Sequence, residues 1–287
     1  MDRLYTSKKQ LVRDDLTTKG FSVLARTDIH LAPELELPLA SLGLVYDDSP
    51  SDGPVRRRFY GRYVLGPYAT VDTLDLRLYS SSYMSSDYQQ PADINPEQRG
   101  SLRTYAPLPA AAGSNAFLKE LILFDLSLLP LEDFWPNAPR NPLSIGIHLL
   151  RTIALPERPG SPSPSVPHQD GEPFTCIHLI KRRGVNGGES QVFRNTPIDG
   201  VNAAGQLLLQ TTLQQALDSL IVWDRDVFHH VTPINVVQDG IEGIRDVLII
   251  DFTPLEECKL SSRGDIAFST HSFCMDWQST CHGSSKA

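Results

Sequence analysis

The sequence predicts a mainly β protein with flanking helices, its core a jelly roll or barrel. Three observations carry that expectation. From Ser144 onward the apolar stretches are short, alternate with polar residues and recur at the spacing of a many-stranded β domain. The clearest helical period, Phe117, Leu121, Phe124 and Leu128, lies ahead of that run and stops at Pro130. The chain has 287 residues, of which 40% are hydrophobic, enough for a sizeable core, and β domains of roughly 200–250 residues are common.

The elements follow in order. Ser7-Lys8-Lys9-Gln10 has the spacing of a capping box, and a short amphipathic helix is expected from Lys8 to Lys19, ended by Gly20. Strands are expected at Phe21–Leu24, Arg57–Leu65 and Leu74–Tyr79, then a loop rich in Ser, Gln, Pro and Asn over 80–100. The helix over Ala116–Leu129 comes next, and an apolar strand over Ile145–Ala154 carries His148 and Arg151. Leu155–Pro167 holds too many prolines to join a sheet and is read as a long loop that delivers His168. Further strands are expected at Phe174–Arg182, Ser190–Phe193, Leu207–Thr212, Leu220–Trp223, Val227–Thr232 and Arg245–Phe252. Turns are expected at Asn186-Gly187-Gly188 and Gln238-Asp239-Gly240. Residues 1–260 are expected to form one domain, with its helices N-terminal, and 261–287 a polar tail.

A net charge of −8 and a pI near 5.5 argue against a nucleic-acid partner, which needs a basic footprint. The one basic cluster, Arg56-Arg57-Arg58, reads as a solvated strand edge or as a strand with one arginine turned inward to a small anion. No apolar run approaches the roughly 20 residues that cross a bilayer, and Met1–Arg13 has no signal-peptide apolar segment. The four cysteines, Cys176, Cys258, Cys274 and Cys281, lack the Cys-x-x-Cys spacing of a structural zinc site, and Cys176 reads as a small core residue. A cytoplasmic protein with reduced thiols, monomeric or homodimeric, is the expectation.

The chemistry is expected at His168-Gln169-Asp170. Two residues apart on an extended segment, a His and a carboxylate project to the same side. A second His from a later strand, His229 or His230, would complete two imidazoles and one carboxylate on one face of a metal. Adjacent strand residues face opposite ways, so only one of that pair points inward. This donor set with open positions favours iron over zinc. Arg245, sixteen positions after His229 (245 − 229), is far enough along for the chain to return as a neighbouring strand. Its guanidinium fork suits bidentate binding of a carboxylate. His178 is expected in the core or at the pocket wall, and His148 on a strand lining the same cavity.

Several segments resemble the bacterial 2-oxoglutarate/Fe(II) dioxygenases that hydroxylate free L-amino acids, the L-isoleucine 4-hydroxylase-like family. They are His168-Gln169-Asp170-Gly171, Gly187-Gly188-Glu189-Ser190, Asp224-Arg225, the run His229–Ile234, and Arg245–Phe252. Arg103–Leu108 and Arg57–Tyr60 also look like the family. The resemblance implies a double-stranded β-helix (jelly-roll, cupin-like) as the catalytic core. It implies Fe(II) held by His168, Asp170 and His229, with His230 in a variable slot, and 2-oxoglutarate and O2 as cosubstrates. Arg245 would take the far carboxylate of 2-oxoglutarate, helped by the Thr232 hydroxyl. The implied reaction is hydroxylation of an unactivated C–H bond of an aliphatic or cyclic amino acid, such as isoleucine, leucine or pipecolate, with release of succinate and CO2. Asp170 favours hydroxylation over halogenation, which needs a small residue at that position. For the substrate, Arg151 is the first candidate for the carboxylate, then Arg103 and Arg57; Tyr60, Tyr105 and Trp223 are candidate walls. Two alternatives stay open: a hydroxylase of carrier- or peptide-tethered amino acids, and a cupin-like metal-binding protein without turnover.

Overall fold

The computed structural model describes residues 3–65, 78–80, 87–89, 101–134, 143–162, 164–237 and 241–254. Most of the expected loop at 80–100, the turn at Gln238–Gly240, Cys258, Cys274, Cys281 and the polar tail lie outside the described residues. Of the strand expected at Leu74–Tyr79, only its end is described, within Leu78–Ser80.

The principal elements are α1 (Lys9–Lys19), β1 (Phe21–Leu24), α2 (Glu36–Val45), β2 (Arg56–Leu65), α3 (Ala116–Leu128) and β3 (Leu143–Ala154). Then come β4 (Phe174–Arg183), β5 (Val185–Gly187), β6 (Ser190–Asn195), β7 (Ala204–Thr211), β8 (Ser219–Trp223), β9 (Val227–Val231), β10 (Ile234–Val236) and β11 (Gly243–Pro254). The large sheet runs β1-β8-β4-β11-β3-β2, continues to Leu78–Ser80, and takes Ala106–Pro107 parallel to β2. The small sheet is β7-β6-β9, and β5 pairs with β10 as a separate two-stranded ladder. Apart from Ala106–Pro107, the pairing in both sheets is antiparallel, and the whole is a double-stranded β-helix.

The helices form where local signals place them. The Asn115 side chain accepts the Leu118 amide at 3.1 Å, capping α3, and the chain turns extended at Leu129 before Pro130. Gly20 closes α1 in the left-handed conformation. The capping box expected from Ser7 does not form. Lys8 occupies the N-cap without a side-chain bond, and its amide donates to Thr6 Oγ1 instead. Helix α2 escaped the sequence reading because Pro38 and Gly43 interrupt its period. Pro38 sits in the first turn, where no intrahelical N–H is needed.

The large sheet separates its side chains by parity. On β3, Ile145, Ile147 and Leu149 join Phe174, Cys176, Leu248, Ile250 and Phe252 against the helices, packing on Leu16, Leu42, Phe117, Leu118 and Leu121. The opposite faces supply a second core between the sheets, with Leu150, Ile177, Leu179, Val192, Val222 and Val247. Burying each such side chain is worth about 1.5–3 kcal/mol, so the two cores fix which face of each strand looks inward. His178 lies on the helix side of β4, held between the Asp125 carboxylate at 2.9 Å and the Ser219 hydroxyl at 2.7 Å. It is a core histidine, as is Cys176 a core thiol.

Arg151 obeys the same parity and faces the helices, away from the inner cavity. Its Nε and Nη2 donate to the two Asp246 oxygens at 2.7 and 2.8 Å, and Nη1 donates to Asp47 at 2.7 Å. Asp246 is fully buried. Removing it strands a guanidinium in the core, a loss of about 3–5 kcal/mol for a broken buried pair. Asp246→Ala is therefore expected to lower the urea midpoint by that equivalent, and the double variant Asp246→Leu/Arg151→Met to recover much of it.

Candidate active site

The inner faces of the two sheets enclose one cavity. Its wall includes His168, Asp170, His229, Arg245, Arg58 and Arg103, with Leu150, Ile177, Val231, Val247 and Ile249 as apolar surface and Pro162 and Pro164 at one side. The proline-rich segment after Leu155 is thus part of the wall. It is tied down by a reciprocal backbone bridge between Gly160 and Ile234, 2.8 Å in both directions.

His168 and His229 are brought together by backbone geometry. The His168 amide donates to the His229 carbonyl at 3.0 Å and the His229 amide returns the bond at 2.9 Å. Their rings lie 4.4 Å apart. The Asp170 carboxylate reaches both, Oδ1 at 3.5 Å from His168 Nε2 and Oδ2 at 3.3 Å from His229 Nε2. One ligand atom from each of the three lies within 4.8 Å of the others. Outer contacts aim the rings. His168 Nδ1 is 2.9 Å from the Val166 carbonyl, which leaves Nε2 pointing inward as a lone pair. His229 Nδ1 faces the fully buried Asp224 carboxylate at 3.1 Å. Asp224 Oδ2 also accepts the Gly171 amide at 2.7 Å, and Gln169 Nε2 donates to the Asp224 carbonyl at 2.6 Å. Gly171 takes φ 88°, so the chain can reverse at once after the aspartate.

Burial alone would raise the Asp170 carboxyl, but bonds from His168 and His229 outweigh it and hold it well below the usual range. Burial pushes His229 down, yet Asp170 and then Asp224 lift it to about 10. Two carboxylates thus converge on a pair of imidazoles in a place shielded from water, and the centre draws positive charge. Two imidazole nitrogens and one carboxylate on one face fit a divalent iron with open positions.

At another part of the wall Arg245 is 2% exposed, and its Nε and Nη2 have no hydrogen-bond partner among the described residues. Burial lowers its pKa to about 10, and the charge of Arg182 adds to that. An unpartnered buried guanidinium costs several kcal/mol, so the site is built around an anion. The strand of Arg245 was expected beside that of His229. Instead β9 belongs to the small sheet and β11 to the large one, because β10 pairs with β5 and carries the chain across. Arg245 and His229 therefore look into the cavity from different walls. Arg182 is a residue the sequence reading missed. A register shift between Leu179 and Lys181 re-phases β4, so Arg182 pairs with Arg245 and shares its face. Its Nη2 donates to the Gly187 carbonyl at 2.7 Å. The expected turn at Gly187 is there, but Val185–Gly187 first forms the short strand β5.

Of the other candidates, Arg103 lines the cavity and Tyr105 stands behind it, buried, with the Arg58 guanidinium 4.6 Å over its ring. Arg58, not Arg57, is the member of the basic cluster that turns inward; Arg57 is exposed. Tyr60, Tyr88 and Tyr105 form one aromatic group around His148. Arg151 is engaged on the helix side, and Trp223 packs against the helix-side core near Phe174. Thr232 is outside the cavity wall; its hydroxyl accepts the Glu189 amide at 2.9 Å. His230 alternates away from the wall that His229 enters. Arg58 could be found in sequence by carrying the parity of β3 onto β2, through its pairing with Leu150, whereas Tyr88 lies in a separate two-stranded sheet that this parity does not reach.

A family model for 2OG-Fe dioxygenases matches residues 41–251. The chain belongs to the 2OG-Fe dioxygenase family. It is a non-haem iron dioxygenase that uses Fe(II), 2-oxoglutarate and O2. Among curated relatives of this dioxygenase, an L-isoleucine-4-hydroxylase of Bacillus thuringiensis is 27% identical over 83% of the chain and 92% of the relative. A 3(1)-hydroxy-L-isoleucine 4-dioxygenase of Pantoea ananatis is 31% identical over 59% of the chain and 65% of the relative. The crystal structure of IDO from B. thuringiensis superposes with a TM-score of 0.66 at 23% identity, covering 87% of this chain and 96% of that one. A bsmA homolog from Methylobium petroleophilum also gives 0.66, at 21% identity over 86% and 93%. These structural likenesses bear on the fold.

Two substitutions probe the dioxygenase's site separately. Asp224→Asn should weaken iron binding about 10–100-fold through a mis-aimed His229, read by anaerobic equilibrium dialysis of Fe(II). Arg245→Gln should leave iron affinity within twofold and raise the KM for 2-oxoglutarate by about 100-fold, the scale of a lost charge-assisted bidentate bond.

Proposed function

We propose that the dioxygenase hydroxylates an unactivated C–H bond of a free aliphatic L-amino acid, with His168, Asp170 and His229 holding iron and Arg245 seating the far carboxylate of 2-oxoglutarate. The observation that carries the substrate class is the cavity lining. Val231, Val247, Ile249, Ile177 and Leu150 give an aliphatic surface, and Arg58 and Arg103 give a cationic rim for a small carboxylate. The relatives named for isoleucine and hydroxyisoleucine support the same class.

Iron with 2-oxoglutarate supplies the oxidising power: one O2 converts R–H to R–OH and 2-oxoglutarate to succinate and CO2. The protein's part is placement and dryness. The backbone bridge between His168 and His229 and the bonds from Val166 and Asp224 set the direction of the two imidazoles. Arg245, buried and unsatisfied, orients the cosubstrate by its far end. Arg58 and Arg103, framed by Tyr88 and Tyr105, would hold the substrate carboxylate, the role first expected of Arg151. Val247 and Ile249 keep water from the carbon that reacts.

The test is turnover. Purified protein is loaded anaerobically with Fe(II) and 2-oxoglutarate, mixed with each of the free L-amino acids, and exposed to O2. L-isoleucine or L-leucine should raise succinate release at least tenfold over the substrate-free rate and give a product heavier by one oxygen. Stimulation by a carrier- or peptide-bound amino acid alone, with none from the free ones, would overturn the reading.

A further inference from the structure

The cavity face of β11 carries Arg245, Val247, Ile249 and Asp251 in alternation. The two charged ends are six positions apart (251 − 245), roughly 20 Å along a strand. Arg245 answers the cosubstrate. Asp251 has no part in holding iron or 2-oxoglutarate, yet it is 4% exposed and lines the same cavity.

The surroundings of Asp251 are arranged to keep its carboxylate in place. Thr175 Oγ1 donates to Oδ1 at 3.0 Å, and His148 Nε2 lies 3.2 Å from Oδ2. Gly146, its pairing neighbour on β3, leaves the room: a Cβ there would sit 3.1 Å from Oδ2. His148 is held neutral, since burial and then the charge of Arg58 push it well below its usual value. Thr175 and His148 are therefore both neutral groups. Arg62 is the cation across from this part of the sheet, paired in register with Gly146, and it donates to the Tyr60 hydroxyl. It also faces Glu172, a half-buried carboxyl that accepts the Thr253 hydroxyl at 2.7 Å. One arginine thus faces two carboxyls. Burial, and then the nearby Asp170, raise Asp251 to about 8, as expected of a carboxylate short of a cation.

We propose that Asp251 is the seat of the substrate's α-ammonium group, with Thr175 and His148 fixing the two oxygens that receive it. The proposal rests on the amino-acid reading above and deepens it. An ammonium supplies the missing positive charge, and Arg58 and Arg103 on the adjoining wall take the carboxylate of the same zwitterion. The device selects amino acids against 2-hydroxy acids, which offer a hydroxyl where Asp251 requires a cation.

Anaerobic Fe(II)–2-oxoglutarate enzyme is titrated by calorimetry with L-isoleucine and with its 2-hydroxy analogue, 2-hydroxy-3-methylpentanoate. Wild type should prefer L-isoleucine by about 100-fold, the scale of a buried charge-assisted pair. Asp251→Asn should erase most of that preference by weakening L-isoleucine while leaving the hydroxy acid within threefold and the 2-oxoglutarate affinity within twofold. Thr175→Val, which keeps the carboxylate and loses one hydroxyl, should weaken L-isoleucine about fivefold. This variant keeps the test open if Asp251→Asn folds poorly. A carboxylate that merely positions His148 would move both ligands equally, and an undiminished preference in Asp251→Asn or an unchanged affinity in Thr175→Val would overturn the proposal alone. A wild type that binds no free amino acid would overturn it together with the amino-acid reading.

Discussion

The two-residue alternation of β11 is the constraint on which the rest of the molecule depends. Its even side chains, Leu248, Ile250 and Phe252, are claimed by the helix-side core, and its odd ones, Val247, Ile249 and Asp251, by the cavity. A slip of one residue would bury Arg245 and Asp251 among helices and turn Leu248 and Ile250 into the site. The register is held from both sides, by β4 and by β3, over nearly the whole length of the strand. Apolar burial therefore fixes the chemistry indirectly. It chooses the face, and the face decides which charges meet.

The same alternation explains why some of the site was legible in the sequence. His168 and Asp170 sit two apart and needed only an extended backbone to converge. The choice of His229 over His230 needed the family pattern, because strand parity says only that one of them enters. Arg151 shows the opposite case. Placed on the same strand as His148, three residues on, it lies on the other face, and the buried Asp246 already claims its fork. Counting parity from His148 would have removed it from the substrate side and, carried through the pairing of Leu150, brought in Arg58. Arg182 was beyond such counting. The irregularity near Ile180 inverts the parity of β4, and no residue there announces it.

The fold was read more fully than the site for a related reason. Strands buried on two faces declare themselves by composition, as Leu143–Ala154 and Gly243–Pro254 do. Which sheet a strand joins is set by pairing, which is non-local. Arg245 was expected beside His229, and the short β10 instead carries the chain from the small sheet to the large one. Helix α2 was hidden by a proline that its first turn tolerates.

The cavity concentrates groups that a stable core would avoid. Arg245, Asp251 and Asp224 are buried and Asp170 half-buried, and holding charge in such a place costs several kcal/mol wherever it is incompletely compensated. Two continuous apolar cores, one on each side of the large sheet, support that expense. The charges are also segregated. The centre at Asp170 would draw a metal, the other end of β11 at Arg245 an anion, and Asp251, which shares Arg62 with Glu172, a further cation. A zwitterion and a dicarboxylate present complementary charges, so ligand binding would relieve strain that folding alone leaves in place. Sites of this kind gain affinity from their own instability when empty, and their groups can be changed toward apolar residues with a gain in stability and a loss of function.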